Sequence, residues 1–378
     1  MQDLKERLFS YFRGLDKQLL LLSWTASAYG LALLYSAVHS YGTDNYLRTQ
    51  IIAVCLGTVL YLVLSALDLR PILRRYLWLI PLELLLLFTL RLWGVGEGNH
   101  GWIRFGGIGV QPAELGKPLF ILSFSGHLAH VRGREHHLTG ALGLLLHAGA
   151  VCAFVMVFSR DDGMTLVYLF LALFLALCAG MRPGILAAFA VLGMGLLPLL
   201  WTFLLDPYQQ TRILAVLEPE RYPATAWQAM QTTHAIASGG LSGRGFLQGP
   251  YTQYGLIPTK HTDSIIAVAG EELGFLGCGA VLLLLGLLIL RCTAAALRAE
   301  DPASALTAGG IAGMLAFQTV LNLGMNLGLL PVVGLTLPFF SYGGSSIVTM
   351  YAAMGMAAGI RRRQRRNKEI QDRDGGFS

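Results

Sequence analysis

Charge is scarce in this chain. Only 13% of its 378 residues are Asp, Glu, Lys or Arg, and 54% are hydrophobic, whereas a soluble domain carries roughly a quarter charged residues. Cysteine is scarce as well: Cys55, Cys152, Cys178, Cys278 and Cys292 are scattered, odd in number and mostly set inside apolar runs. That pattern excludes a disulfide framework and any cysteine-based metal spacing, and leaves buried free thiols. Met1–Lys17 is too polar for a secretory signal, and no small-residue cleavage site precedes the first apolar run. Leu19–Val38 is therefore expected to be a retained span. The net charge of +6 does not point to nucleic acid, because the basic residues cluster beside apolar segments.

What is present is a recurrence of apolar stretches long enough to cross about 30 Å of hydrocarbon. Ten candidate spans are expected at about 18–38, 48–67, 74–93, 112–130, 139–158, 163–181, 183–205, 264–291, 304–327 and 342–360. The fold class is all-α: a polytopic membrane protein of about ten transmembrane helices, forming one domain over residues 1–378. The connections alternate in charge. One set carries Lys5, Arg7, Arg13 and Lys17, then Arg70, Arg74 and Arg75, then Arg132 and Arg134, then Arg182, Arg291 and Arg298. It ends in the basic tail 361–378, with Arg361, Arg362, Arg363, Arg365, Arg366, Lys368 and Arg373. By the positive-inside rule both termini are expected to be cytoplasmic, with the tail resting on anionic membrane lipid.

Three unusual connections then face outward. Gly94–Gln111 is rich in Gly, Trp and Arg; 206–262 is a long extracytoplasmic loop between spans seven and eight; Leu329–Gly344 is apolar but broken by Pro331, Gly334 and Pro338. An apolar segment that cannot stay helical reads as re-entrant, tolerated only against protein or a wet cavity.

Ionisable groups inside such a region are expensive, about 2.5–3.5 kcal/mol or more at the centre of a span. Glu114 and Lys117 stand three apart after Pro112, so a helix places them on one face. They read either as an internal ion pair that glues helices or as the wall of a polar cavity. Asp161 and Asp162 lie in a short outer turn, as a helix cap or as ligands for a divalent cation (Mg2+ or Mn2+) that carries a pyrophosphate. Asp263 sits where the polar loop meets an apolar run; it reads as an N-cap, as a general base whose pKa is raised by burial, or as both. Glu271 and Glu272 follow before Gly274, which suggests that Ser264–Leu273 is a separate half-helix kinked at that glycine. Arg104, Arg212, Arg244 and Lys260 offer cations that could grip phosphates, and His261 is either a partner of Asp263 or polar trim.

Four multi-residue motifs, in order, resemble the SEDS family (shape, elongation, division and sporulation), which includes RodA, FtsW and SpoVE. They are Gly101–Phe105 leading to Gln111–Lys117; Tyr208–Arg212 with Glu218-Pro219; Ala235–Gly245 followed by Pro258, His261-Thr262-Asp263 and Gly270–Gly274; and Asn322–Met325 with Leu330–Ser345. Two departures stand out. The family's Pro-Asp-x-Gly reads Arg160-Asp161-Asp162-Gly163 here, and the serine of its QPSE motif is Ala113.

The resemblance implies a peptidoglycan glycosyltransferase that polymerises lipid II, a polyprenyl-linked glycan precursor, at the outer face of the bacterial inner membrane. It implies a single-span transpeptidase partner, a class B penicillin-binding protein. Asp263 matches the catalytic aspartate of the family, and Glu114, Lys117 and Asp161 match its polar cavity. With Arg104, Arg212, Lys260, His261, Thr262, Glu271 and Ser341 as substrate-facing candidates, these complete the expected site. The competing readings are a lipid flippase, which the broken segments and the intramembrane Glu–Lys pair also suit, and a non-catalytic scaffold for a transpeptidase.

Overall fold

The computed structural model describes residues 14–96, 100–105, 108–132, 138–181, 184, 201–202, 205 and 207–374. The expected seventh span, 183–205, falls outside the described residues apart from isolated positions, as do Lys5, Arg7, Arg13, Arg134 and Arg182. The chain is mostly helical. α1 (Lys17–His39), α2 (Asn45–Ala66), the short α3 (Arg70–Arg74) and α4 (Tyr76–Trp93) come first. A hairpin of β1 (Ile103–Phe105) and β2 (Ile108–Val110) leads into α5 (Pro112–His130) and α6 (Leu138–Phe154). After a π-helical turn at Val155–Ser159 come α7 (Asp162–Cys178), α8 (Pro207–Leu217), α9 (Pro223–Ser238) and α10 (Pro250–Gln253). α11 (Ile265–Leu297), α12 (Pro302–Asn326) and α13 (Gly344–Asp374) close the chain. Among the described residues, six helices are long and apolar enough to cross a membrane: α1, α2, α4, Thr139–Ser159, α11 and α12.

The outer surface differs from that of a soluble bundle, although the core is apolar in both. Large apolar side chains point outward, as with Leu56, Val59, Trp78, Leu85, Leu146 and Leu283, while small and polar residues such as Ser23, Ser27, Ser36 and Gln50 are buried. Where lipid solvates leucine as well as protein does, helices associate through small residues and close backbones. The most extensive helix pair, α2 with α13, does so. Gly355 and Gly359 are one turn apart on α13, and a Cβ at either would lie 2.8 Å from the backbone of Tyr61 or 3.0 Å from the carbonyl of Leu64.

At one end, Asp16 caps α1 and binds Arg291 at 2.6 Å and Arg361 at 3.2 Å, and Asp68 binds Arg363 at 2.6 Å. These ties join α1, α2, α11 and α13 at the basic end of the bundle. At the opposite end the long connection 206–262, expected as a loop, carries α8, α9 and α10.

The half-helix expected at the start of α11 is there. Gly274 breaks the helix with φ 68° and ψ −160°, a conformation open only to glycine. The glycine-rich stretch after α9 docks on the break and satisfies the backbone groups it frees. Arg244 N–H donates to Glu271 O, Gly245 N–H to Glu272 O, Phe275 N–H to Gly240 O and Leu276 N–H to Leu241 O. A kink that would otherwise strand polar groups is thus spliced into a neighbouring loop.

Candidate active site

Asp263 lies between a turn at Thr259–Thr262 and α11. The N-cap of α11 is Ser264, which makes no side-chain cap, so the capping role expected for Asp263 is not what the structure shows. Its position is set through its backbone. The Asp263 carbonyl accepts from Asn322 Nδ2 at 2.9 Å and from Asn326 Nδ2 at 2.8 Å, both on α12. Asn322 Nδ2 also donates to Leu335 O at 2.7 Å. One side chain therefore ties Asp263 to the irregular segment between α12 and α13, which is the apolar stretch expected to be re-entrant. That segment passes beside the carboxylate: a Cβ on Gly334 would lie 3.6 Å from Asp263 Oδ2. Burial pushes the Asp263 carboxyl up to about 6, opposed by the nearby guanidinium of Arg212.

Asp161 does cap a helix. Its Oδ1 accepts from Met164 N–H at 2.9 Å at the start of α7, and its Oδ2 accepts from Gln111 Nε2 at 3.0 Å. Burial drives it up to about 7; the Met164 N–H opposes this, and the charges of Glu114, Asp162 and Asp263 reinforce it. The charge of Asp263, about a hundred residues further along the chain, is thus felt at Asp161. Below them, Lys117 Nζ pairs with Glu114 Oε2 at 2.6 Å, both buried, and Asp161 adds its charge to that pair. Gln111 fastens the start of α5 by donating its N–H to Ser345 Oγ of α13 at 2.9 Å.

The remaining candidates divide by neighbourhood. Arg212 on α8 stacks over the Tyr208 ring at 4.5 Å and lines a cavity of about 470 Å³ with Trp227, His234, Pro258 and Val332. Arg104 is exposed on β1, opposite Gly109. Lys260 is buried, donating to Ser40 Oγ at 2.7 Å and Thr252 O at 2.6 Å beneath the Tyr41 ring, so its amine ties the end of α1 to α10. His261 sits among the rings of Tyr41, Tyr46 and Tyr342, and burial followed by the charge of Lys260 lowers its pKa. Thr262 donates to Thr259 O. Glu271 is fully buried and accepts from Tyr251 N–H, Thr252 N–H and Thr252 Oγ1, holding α10 against α11. Ser341 Oγ accepts from Leu337 N–H within the irregular segment.

The structure thus links these groups in series: Arg212 acts on Asp263, Asp263 on Asp161, and Asp161 on the Glu114–Lys117 pair. Lys260, Glu271 and Ser341 are engaged inside the fold. The turn at Asp161-Asp162 does not fit a cation cradle: Asp161 is taken up by Met164 and Gln111, and both oxygens of Asp162 accept from Gln209 Nε2. Among the described residues no group of three or more His, Cys, Asp or Glu could hold a metal.

Asn322, Asn326 and Gln111 carry positioning roles that sequence reasoning did not assign. The available signal was three amides, Gln318, Asn322 and Asn326, one turn apart on a mostly apolar helix. Glu83, fully buried on α4, was missed as well.

The chain is similar to known proteins over most of its length. Residues 17–366 match the FtsW/RodA/SpoVE family model, described as a cell cycle protein. The chain is 31% identical over 377 residues to the probable peptidoglycan glycosyltransferase FtsW of Bacillus subtilis, covering 94% of this chain and 92% of that protein. It is 30% identical over 352 residues to the peptidoglycan glycosyltransferase MrdB of Escherichia coli K12, covering 92% and 93%. Among solved structures it resembles a chain of a peptidoglycan synthase complex, with a TM-score of 0.79, 31% identity and coverage of 93% and 98%. It also resembles Thermus thermophilus RodA, with a TM-score of 0.68, 28% identity and coverage of 93% and 97%. From its first membrane helix to the start of its basic tail, the chain belongs to the FtsW/RodA/SpoVE family.

Proposed function

We propose that this protein is a peptidoglycan glycosyltransferase that polymerises lipid II into β-1,4-linked glycan at the outer face of the bacterial inner membrane, releasing undecaprenyl pyrophosphate. Its relatives are named peptidoglycan glycosyltransferase, or probable peptidoglycan glycosyltransferase. The observation that carries the assignment to a site is Asp263: a carboxylate gripped through its backbone by two amides, with its side chain uncommitted to capping and raised to about 6. A general base works best with a pKa near the operating pH.

Asp263 takes the proton from the acceptor's GlcNAc 4-hydroxyl as that oxygen attacks C1 of the donor MurNAc. The α-linked pyrophosphate departs and the configuration inverts. Arg212, whose charge reaches Asp263, stabilises the phosphates as negative charge develops. The Glu114–Lys117 pair and Asp161 form the polar floor of the groove. The topology this requires is ten spans, with both termini and the basic end cytoplasmic and α8–α10 outside. A class B penicillin-binding protein would crosslink the product, as expected of a chain resembling part of a peptidoglycan synthase complex.

The test is lipid II polymerisation by purified wild type and Asp263→Asn. Glycan strands from wild type and none from a correctly folded Asp263→Asn are expected. Normal strands from the variant would remove Asp263 from the reaction.

A further inference from the structure

Glu83 has no exposed surface, and its Oε1 accepts no hydrogen bond from the described residues. A carboxyl at that depth in a bilayer is expensive, and such groups typically belong to ion pathways or proton relays. It also has continuous polar company. Ser123 Oγ of α5 lies 3.4 Å from Glu83 Oε2 and 3.2 Å from His147 Nε2 of α6. His147 Nδ1 is 3.2 Å from His127 Nδ1, one helical turn beyond Ser123 on α5. His127 stacks on the Tyr76 ring at 4.9 Å, and His130, nearer the basic end, lies 5.5 Å from that ring.

In the other direction the chain meets Gly116. A Cβ there would overlap the Tyr168 hydroxyl and lie 3.9 Å from Glu83 Oε1, so only the missing side chain leaves the carboxyl an opening toward Tyr168. Tyr168 donates to Ala113 O, and Lys117 is the next residue after Gly116. The titratable groups facing this line are Tyr76 on α4 and His130 on α5 at one end, Cys152 on α6 and Tyr168 on α7 beside Glu83, and Glu114, Lys117 and Asp161 at the far end.

We propose that His127, His147, Ser123 and Glu83 form a proton path into the bundle, from the basic end of α5 to Glu83, whose Oε1 faces the opening at Gly116. The steps balance. A proton on His127 Nδ1 moves to His147 Nδ1, the proton on His147 Nε2 passes to Ser123 Oγ, and the hydroxyl proton of Ser123 goes to Glu83 Oε2. Starting from a protonated His127 and an ionised Glu83, one proton moves from His127 to Glu83, and no charge stays on the intermediate groups. The proton then leaves from the Glu83 carboxyl through the Gly116 opening. Ser123 suits the middle position because its hydroxyl also reaches Phe120 O at 3.2 Å and can rotate between acceptors. A purely adhesive cluster has no need of the unpartnered Glu83 oxygen.

The experiment uses the full chain in liposomes with a trapped pH dye, the potential clamped by valinomycin and potassium, and an external acid pulse. Wild type is expected to acidify the lumen faster than protein-free vesicles, in proportion to protein. Glu83→Gln and Ser123→Ala, each checked for an unchanged melting profile, should lower the protein-dependent rate by about tenfold or more, as loss of a positioned proton carrier does. A wild-type rate no faster than protein-free vesicles overturns the proposal. So does a folded Glu83→Gln that conducts like wild type, which would leave the cluster as packing alone.

Discussion

Replacing Asn322 by Ala tests whether Asp263 works because of how it is held. The substitution removes two N–H donations, to Asp263 O at 2.9 Å and to Leu335 O at 2.7 Å, from a fully buried position. Asp263 O keeps its bond from Asn326 at 2.8 Å, so the orphaned acceptor is Leu335 O. One buried carbonyl without a partner costs about 1–3 kcal/mol. The larger effect is on geometry, since the tie between Asp263 and the irregular segment beside it disappears. A displacement of about 1 Å in a reacting group lowers rate by about 10²-fold. Asn322→Ala is therefore expected to keep its fold with a lower melting temperature, and to lose about 10- to 100-fold in kcat with a smaller change in KM. Polymerisation of fluorescent lipid II resolved by strand length, at saturating substrate, measures this. The midpoint of the acid limb should also shift, which a merely structural residue would not cause. A destabilised variant with wild-type kcat and an unmoved acid limb would refute the reasoning.

Activity is expected to fall as pH drops through about 6, because the base must be ionised and burial has raised Asp263 to that value; a pH–rate profile checks this. A raised folded-state pKa also means that Asp263 favours the fold most below its unfolded value and opposes it as pH rises through about 6, so Asp263→Asn should melt higher than wild type at pH 7. Gly274→Ala is expected to destabilise by about 1–3 kcal/mol through backbone strain, with further loss because a Cβ there would overlap Gly243 N; thermal unfolding measures it. Lys117→Met leaves Glu114 buried without its cation and should destabilise by about 3–5 kcal/mol, whereas Lys117→Met combined with Glu114→Gln should recover much of that loss.

Some of this was legible from spacing alone. A Pro followed by Glu and Lys three apart announced a paired face on α5, and two acids before a glycine announced the break in α11. Local pattern suffices for such features because the partners are near in sequence. The clamp on Asp263 was not legible, since its donors lie 59 and 63 residues away and an amide on an apolar helix does not declare its acceptor. Residues 206–262 read as a loop because their polar composition masked three helices, of which α9 and α10 pack on α11 while α8 packs on α9. Lys260 looked like a phosphate grip for want of any local hint that Ser40 and Thr252 would claim its amine. Glu83 was hidden for the opposite reason: one acid in a leucine-rich run leaves the character of the run unchanged.

The break at Gly274 makes the first part of α11 a depth gauge. Ile265–Leu273, at about 1.5 Å per residue, stands Asp263 roughly 14 Å along the helix from the glycine, and the splice to residues 240–245 locks that offset. A lipid-borne sugar arrives at an altitude dictated by its own pyrophosphate and tail. In the proposed reaction, the length of this short pedestal sets whether acid and hydroxyl meet at the same level.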